Sequence, residues 1–277
     1  MVERGIPHSF GRRAFGSDPA RYDAARPDYP EWVFATLTER CGLADGTAAF
    51  EIGPGTGKAS RRLLRLGARP LVAIEPDPRS AAYLRQAAPD SALQVIVATF
   101  EDAALAESAF DLGVCATAFH WLDEASALLK VARLLRPGGW WAMMWNVFGD
   151  NIRPDPFHEA TKALLDAARS PSAGVAGVPF ALDGKARVAA LERTGAFDCI
   201  EHHARDWSLE LDPDATAALY ATFSDVSARR DRRAVVAELR RIAGDAFGGR
   251  VTRNMTTSLY IARRCPSPDR RSARPRR

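Results

Sequence analysis

The chain has 277 residues, 47% of them hydrophobic and 26% charged, which is enough apolar material to bury the core of one large domain. Its net charge is only +4, and its four cysteines and five histidines show neither Cys-x-x-Cys pairs nor a ligand pattern, so we expect no disulfide framework and no metal site. No apolar run approaches the ~18 residues of a membrane span, and the first residues lack the apolar core of a signal peptide, so we expect a soluble, cytoplasmic protein.

The first predicted unit, residues 1–46, contains the stretch ARYDAARPDYP over residues 20–30. The first half of this stretch predicts a short helix that ends at Pro27. From the residues alone, Tyr22 and Arg26 are either surface side chains of that helix or groups that meet a ligand, the arginine by pairing with a carboxylate.

Residues 47–146 alternate short apolar runs with helical patterns, which is typical of a parallel sheet covered by helices on both faces. The predicted strands are TAAFEIG, LVAIE, LQVIVA, FDLGVCATA and WWAMMW, in that order. Helices are predicted for KASRRLLRLG, for residues 79–88, and for the segment DEASALLKVARLLRPGG, where the helix stops at Pro137. The sequence therefore predicts an α/β fold.

The alternation stops after Asn146. Residues 147–185 contain RPDP and SPSAGVAGVP, and we predict a lid or insertion over a cleft there. Residues 186–262 then supply a helix near 186–194, an extended run near 196–211, helical stretches within 213–247 and a final strand, RVTRNMTTSLYIAR.

The basic charge lies at the C-terminal end. Residues 263–277 carry seven arginines and one aspartate, a net charge of +6, so the remaining residues sum to −2. We predict a disordered, solvated basic tail. An arm that attracts RNA or a membrane surface is the alternative.

The stretch FEIGPGTGKAS, residues 50–60, lies between the first predicted strand and the helix after it, where nucleotide-binding turns occur. A P-loop needs Gly-x-x-x-x-Gly-Lys-Ser/Thr, but Ile52 stands at the first glycine position and Ala59 at the hydroxyl position. A dinucleotide-binding turn needs Gly-x-Gly-x-x-Gly, and its third glycine is replaced by Lys58, which leaves an NAD-linked oxidoreductase as a weak alternative. What remains is an acidic residue followed by alternating glycines: Glu51, Gly53, Gly55 and Gly57.

This motif closely resembles the first motif of the class I S-adenosylmethionine (SAM)-dependent methyltransferases, and the resemblance extends over roughly residues 18–262. It implies a Rossmann-like sheet of seven strands, the last inserted antiparallel, with helices on both faces and a lid or helical insertion. It also implies that the four motif residues bind SAM, together with Ala116 at the end of the fourth strand.

Glu75 and Pro76 follow the second predicted strand, and Glu75 lies twenty residues after Gly55. A carboxylate at this place can accept hydrogen bonds from both hydroxyls of an adenosine ribose. Dinucleotide-binding folds place an acid there too, so Glu75 does not by itself separate SAM from NAD.

Two further stretches match positions that contact the cofactor in this family. Thr99, Phe100 and Glu101, after the third strand, match the positions that read the adenine, although Glu101 and its neighbour are also suited to cap a turn. Residues 20–30 look like the Tyr-x-x-x-Arg-Pro-x-Tyr-Pro arm of the trans-aconitate methyltransferase-like branch. There the arm folds over the cofactor, which implies that Arg26 faces the methionine carboxylate and that Tyr22 packs beside it.

Candidate acceptor-side residues follow the fourth and fifth strands, since active-site groups collect at the carboxyl ends of parallel strands. The stretch ATAFHWLDEAS, residues 116–126, resembles the fourth motif of the same branch, which ends in His-Trp, and His120 is the best-placed general base. A packing role is the alternative for this histidine. The aromatic and amide side chains that either line an acceptor pocket or belong to the core are Trp121, Trp145, Asn146 and Phe148.

We therefore expect an enzyme that transfers the methyl group of SAM to an O, N or C atom of a small molecule, without a membrane partner. The alternatives are a nucleic-acid-directed methyltransferase aided by the basic tail and a SAM-binding protein without methyl transfer. The sequence does not define the acceptor or the oligomeric state.

Overall fold

The computed structural model describes residues 6–7, 10, 15–148, 152–165, 170–175 and 177–266. Seven strands form one sheet: β1 (Thr47–Ile52), β2 (Ala68–Ile74), β3 (Leu93–Ile96), β4 (Phe110–Ala116), β5 (Leu135–Phe148), β6 (Phe197–Leu211) and β7 (Val251–Arg264). Their order is β3-β2-β1-β4-β5-β7-β6, and β7 runs antiparallel to both of its neighbours. The predicted Rossmann-like seven-stranded sheet is confirmed.

The described helices are α1 (Pro19–Ala25), α2 (Glu31–Cys41), α3 (Lys58–Arg65), α4 (Pro78–Ala87), α5 (Glu124–Leu134), α6 (Pro156–Leu165), α7 (Gly184–Arg193), α8 (Pro213–Tyr220), α9 (Ser224–Ser227) and α10 (Arg232–Asp245). Short 3-10 turns cover Phe15–Ser17, Phe119–Trp121, Pro171–Ala173 and Phe180–Leu182.

The core has one hydrophobic cluster on each face of the sheet. Every residue of β1 is buried, and its neighbouring side chains Ala49 and Phe50 belong to different clusters, as expected for a strand covered on both faces. The Phe50 ring stacks on Trp141 with 6.1 Å between centroids. Burial of such a ring stabilises the fold by about 1.5–3 kcal/mol, so this central layer holds the strand ends in place.

The helix after the fourth strand ends earlier than predicted. Helix α5 stops at Leu134, and Leu135 already pairs with Phe110 in the sheet. Arg136 precedes Pro137, and a residue before proline disfavours the helical conformation. The fifth strand therefore has 14 residues, with WWAMMW in its middle.

The segment after β5 is more helical than its composition suggests. Part of the predicted lid, residues 147–185, lies in β5 and part in α6, while residues 149–151, 166–169 and 176 are outside the described part of the chain. Helices α6, α8 and α10 share a hydrophobic cluster that contains Phe157, Tyr220 and Leu239. We call α6 and α8–α10 the lid helices.

The predicted tail begins within the last strand. Arg263 and Arg264 lie in β7, where Arg263 Nε donates to Asp198 Oδ1 at 2.9 Å. Residues 267–277 are outside the described residues, so the prediction for the remainder of the tail stays a prediction.

Candidate active site

A cavity of about 880 Å³ opens where the carboxyl ends of β1, β2, β4 and β5 meet. The N-terminal arm, residues 19–30, contributes one wall, and the lid helices contribute another. All of the predicted site residues line this cavity except Glu51 and Gly57. The residues brought together are Tyr22, Arg26, Gly53, Gly55, Glu75, Pro76, Thr99, Phe100, Glu101, Ala116, His120, Trp121, Trp145, Asn146 and Phe148.

The glycine loop follows β1 and needs glycine for two reasons. Gly53, Gly55 and Gly57 have φ values of +62°, +58° and +87°, a left-handed backbone that other residues adopt with strain. A Cβ at Gly57 would lie 2.3 Å from Leu84 Cδ1, whereas a Cβ at Gly55 would meet nothing within 4 Å. Gly57 is thus required by packing of α3 on α4, and Gly55 presents open backbone to the cavity.

Glu75 fastens this loop to the end of β2. Its Oε2 accepts the Gly55 N–H and its Oε1 accepts the Asp77 N–H, both at 2.9 Å. The side chain is 5% exposed, and burial raises its pKa to about 7 against the lowering effect of the two backbone bonds. Each carboxylate oxygen keeps a second lone pair, so a ligand with two hydroxyls can add to these bonds.

Glu51 lies beside the loop but outside the cavity. It is fully buried in β1, and its Oε2 accepts the Ser60 hydroxyl at 2.5 Å. Its Oε1 is buried and accepts no hydrogen bond from the described residues. Burial, with a smaller repulsion from Glu75, raises the pKa of Glu51 to about 7. The structure therefore ties this acid to α3 rather than to the cavity surface.

Asp23 docks the N-terminal arm on the glycine loop. Its carboxylate accepts Thr56 Oγ1 at 2.8 Å, Arg61 Nη2 at 3.0 Å and the Tyr83 hydroxyl at 3.2 Å. Burial alone would raise the pKa of Asp23, but the hydrogen bonds from Arg61 and Thr56 hold it below its usual value. The sequence interpretation missed Asp23, because its partners lie more than thirty residues away along the chain.

Lys58 also holds the arm. This residue takes the place of the third glycine of a dinucleotide-binding turn, and its Nζ lies 2.9 Å from Asp28 Oδ1 in the arm. Asn146 continues the contact by donating to the Asp28 carbonyl at 3.1 Å while its Oδ1 accepts Thr257 Oγ1. The predicted pocket residue Asn146 therefore also connects the arm to β7.

Arg26 reaches from the arm to the lid helices. Its Nη2 donates to the Thr222 carbonyl at 3.1 Å, and its guanidinium carbon lies 4.7 Å from the Phe223 ring centroid and 5.3 Å from that of Tyr22. Its Nε is buried and makes no hydrogen bond to a described residue. A buried donor of this kind is stabilised by an acceptor, which an anionic ligand group can supply.

His120 is fixed by Trp145. Trp145 Nε1 lies 3.2 Å from Nδ1 of His120, and both side chains are buried. An indole nitrogen can only donate, so Nδ1 is the unprotonated nitrogen and the proton of the neutral ring sits on Nε2. The lone pair of Nδ1 is thus engaged by the indole, and the role of His120 as general base stays a prediction beside a positioning role.

The lid side of the cavity holds residues that the sequence interpretation did not single out. Arg253 Nε donates to Asp155 Oδ2 at 2.7 Å, each side chain is 2% exposed, and Arg253 Nη1 also bonds to the Tyr220 hydroxyl. Burial raises the pKa of Tyr220 to about 12. Asp225 lines the same wall, and burial raises its pKa as well.

The described residues contain no group of three or more His, Cys, Asp or Glu side chains that could hold a metal ion. Within the same part of the chain, no helix combines the length and apolar character needed to cross a membrane. The four cysteines are free thiols.

Comparisons with known proteins identify the domain type. Residues 50–143 match the family described as "Methyltransferase domain". An uncharacterized methyltransferase of Mycobacterium tuberculosis is 34% identical over 143 residues, which cover 50% of this chain and 54% of that protein. The chain thus spans about half the length of the curated relatives it matches first.

Solved structures agree on the fold. A protein of Anaeromyxobacter dehalogenans, provisionally assigned as a type II methyltransferase, superposes with a TM-score of 0.60 at 24% identity, covering 87% of this chain and 97% of that one. Phosphoethanolamine N-methyltransferase 2 of Haemonchus contortus, solved in complex with SAM, superposes with a TM-score of 0.57 at 13% identity. The match covers 93% of this chain and 60% of that one. The match over residues 50–143 supports the predicted methyltransferase domain, and the solved structures share the predicted fold.

Proposed function

We propose that the chain is an enzyme that binds SAM at the carboxyl edge of its sheet and transfers the methyl group to a small molecule in the same cavity. The observation that carries the proposal is the bond between the Gly55 N–H and Glu75 Oε2. It sets a buried carboxylate against open glycine backbone, in a cavity walled by the arm, within a segment that matches the methyltransferase family.

The residues present fit SAM at both ends. Glu75 has lone pairs to accept the ribose hydroxyls, and Thr99, Phe100 and Glu101 line the side assigned to the adenine. At the other end, the partnerless Nε of Arg26 suits the carboxylate of the methionine moiety, because charge-assisted bonds of this kind are the strong ones. Gly53 and Ala116 line the space between.

SAM supplies an electrophilic methyl group on a sulfonium, which leaves as a neutral thioether. The chain's own task is therefore mostly placement and exclusion of water. Arg26 and Glu75 fix the two ends of the cofactor, and the buried indoles of Trp121 and Trp145 give the acceptor space an apolar wall. His120 keeps Trp145 in place through Nδ1, so no proton step is assigned to it.

A small acceptor fits the size of the cavity. Small-molecule sites commonly have volumes of about 300–1,000 Å³ and combine apolar walls with a few polar groups. The cavity has about 880 Å³, and its lid side carries the ring of Phe148 between Arg26 and Arg253.

The same proposal extends to the trans-aconitate methyltransferase-like branch. It is supported by the arm, since Tyr22, Arg26 and Tyr29 of the Tyr-x-x-x-Arg-Pro-x-Tyr-Pro pattern all line the cavity. Tyr29 is partly buried and shares a 2.6 Å hydrogen bond with Thr117 after β4. This likeness concerns the covering of the cofactor and leaves the acceptor open.

A ligand comparison tests the assignment. At 100 times its dissociation constant a ligand adds about 2.7 kcal/mol to the free energy of unfolding, which corresponds to a rise of roughly 5–10 °C in melting temperature for a chain of this size. We expect such a rise with SAM and with S-adenosylhomocysteine and none with NAD. A rise with NAD alone would overturn the proposal.

A further inference from the structure

Four side chains with a formal charge line the lid side of the cavity in the described part of the chain: Arg26, Lys162, Asp225 and Arg253. Two of them are neutralised by protein partners. Arg253 pairs with the buried Asp155, and Lys162 Nζ lies 2.5 Å from Glu159 Oε2. Arg26 and Asp225 make no ion pair with a described residue.

Arg26 has a function in the proposed cofactor complex, where it faces the carboxylate of SAM. That leaves Asp225 as a charge on this wall that forms no direct ion pair with a described residue. Arg26 and Arg229 act on it through their charge, but Arg229 is itself paired with Asp231. The Oδ1 of Asp225 accepts the Val226 N–H at 3.0 Å. A partly buried carboxylate in this state is destabilised, and a cation that enters the cavity removes the penalty.

The surroundings of Asp225 also suit a cation. Phe223 stands two residues before it, with its ring centroid 4.9 Å from that of Phe148 and 4.8 Å from that of Tyr220. Aromatic faces attract cations, and the guanidinium carbon of Arg26 already lies 4.7 Å from the Phe223 centroid, so this wall holds positive charge beside its rings. The ion pair of Arg253 with Asp155 reduces the repulsion that an entering ammonium would meet from that side.

We propose that Asp225 is the counter-ion of an ammonium group carried by the acceptor, so that the acceptor is a cationic amine recognised through its charge. This inference rests on the proposed function, because it assigns Arg26 to the cofactor and Asp225 to the acceptor. It also explains why the polar side chain on the short helix α9 faces the cavity rather than solvent.

Three probes of similar size and different charge test the proposal: 2-phenylethylamine, 2-phenylethanol and 3-phenylpropionate. Each is titrated by calorimetry into the full chain saturated with S-adenosylhomocysteine. We expect the amine to bind roughly 10-fold or more tightly than the alcohol, the ratio expected when a charged hydrogen bond is made. Asp225→Asn should weaken binding of the amine by a similar factor and change the affinity for the alcohol less than twofold.

The matched control is Asp214→Asn. Asp214 lies on α8, is exposed, pairs with Arg240 at 2.6 Å and does not line the cavity. We expect it to leave the binding of all three probes unchanged. An unchanged affinity of Asp225→Asn for S-adenosylhomocysteine shows that the variant is folded and that its cofactor site is intact.

Several results would overturn the proposal. The first is that 3-phenylpropionate binds most tightly of the three probes. The second is that the amine shows no measurable binding at 10 mM, about a hundredfold above a dissociation constant of 0.1 mM. The third is that Asp225→Asn prefers the amine over the alcohol by the same factor as wild type. If Asp225→Asn fails to fold, the affinities of the three probes for the wild-type protein still test the proposal. Failure of the proposed function gives a different result from failure of this inference: neither SAM nor S-adenosylhomocysteine would bind. The probes can then still be titrated into the protein without cofactor.

Discussion

Trp145 donates its indole N–H to Nδ1 of His120 over 3.2 Å, which joins the end of β5 to the turn after β4. Both rings are buried at the cavity wall, and the ring of Phe180 lies tilted against each of them, with centroid distances of 6.2 Å to His120 and 5.9 Å to Trp145. The bond therefore sets the position of two aromatic groups at once.

Replacing His120 with alanine leaves the buried indole N–H without its acceptor, so we expect a loss of about 1–3 kcal/mol in the free energy of unfolding. His120→Asn, which offers an amide oxygen to the indole, should lose less. In a Trp145→Phe background the loss from His120→Ala should shrink, because the donor is gone. Urea denaturation of the variants measures these differences.

Equal losses in both backgrounds would show that this bond does not hold His120. A turnover about 100-fold below wild type in His120→Asn, with stability and SAM affinity retained, would restore the general-base role.

Glu51 gives the fold a dependence on pH. Its pKa is about 7 in the folded protein against a usual value of 4.5, so the folded state binds more protons between these values and stability falls as pH rises through this window. Glu51→Gln keeps the shape and cannot ionise. We expect its stability relative to wild type to increase by about 2–3 kcal/mol from pH 5 to pH 8 in urea denaturation.

The exposed Glu39→Gln serves as the control and should show no such trend. Parallel stability curves for wild type and Glu51→Gln across this pH range would mean that Glu51 titrates in the folded state as it does in the unfolded chain.

Arg26 is expected to bind the carboxylate of the cofactor. Arg26→Ala should weaken the binding of SAM by about 1.5–3 kcal/mol, the scale of a charge-assisted hydrogen bond. It should hardly change the binding of adenosine, since adenosine has no carboxylate. Arg21→Ala, at an exposed position of α1, the helix that ends just before Arg26, is the control and should affect the binding of neither ligand. Calorimetry on both ligands is decisive: if both lose affinity equally, Arg26 acts through the docking of the arm.

The sequence predicts best what depends on neighbours along the chain. The strands follow from apolar runs, and Glu75 follows from the end of one run and its distance from Gly55. Lys58 argued against a dinucleotide-binding turn, but its partner Asp28 lies thirty residues away, so its role in holding the arm was not visible.

The lid side shows the same limit more strongly. Asp155 and Arg253 are 98 residues apart, and each is unremarkable in its own segment. Their pairing depends on the way α6 packs against β7, which no local pattern encodes. His120 lines the cavity, but the sequence did not show its bond to Trp145, and only the donor nature of the indole assigns the imidazole tautomer.

The arginine-rich end offers a test of the nucleic-acid alternative. Residues 267–277 contain five arginines and one aspartate. We expect deletion of these residues to leave melting temperature and SAM affinity unchanged. If the full chain binds single-stranded RNA with a steep salt dependence that the deletion removes, and methylates it, the small-molecule acceptor is wrong.

Glu75 gives the sharpest test of the cofactor position, because it has two separable tasks. It already holds the Gly55 and Asp77 amides, and it is proposed to accept the ribose hydroxyls as well. Glu75→Ala should weaken SAM, S-adenosylhomocysteine and adenosine by similar amounts, about 1.5–3 kcal/mol or more. Glu75→Gln keeps one acceptor and should fall between this variant and wild type.

Damage to the loop alone would weaken every ligand, with or without hydroxyls, so the matched ligand is 2′,3′-dideoxyadenosine. This nucleoside should bind wild type poorly, and its affinity should hardly change in Glu75→Ala. The cycle then gives a coupling free energy of about 1.5–3 kcal/mol between the carboxylate and the hydroxyls. Calorimetry on the two proteins and two nucleosides completes the cycle. If the dideoxy ligand loses as much as adenosine, Glu75 supports the glycine loop without touching the ribose, and the cofactor must lie differently in the cavity.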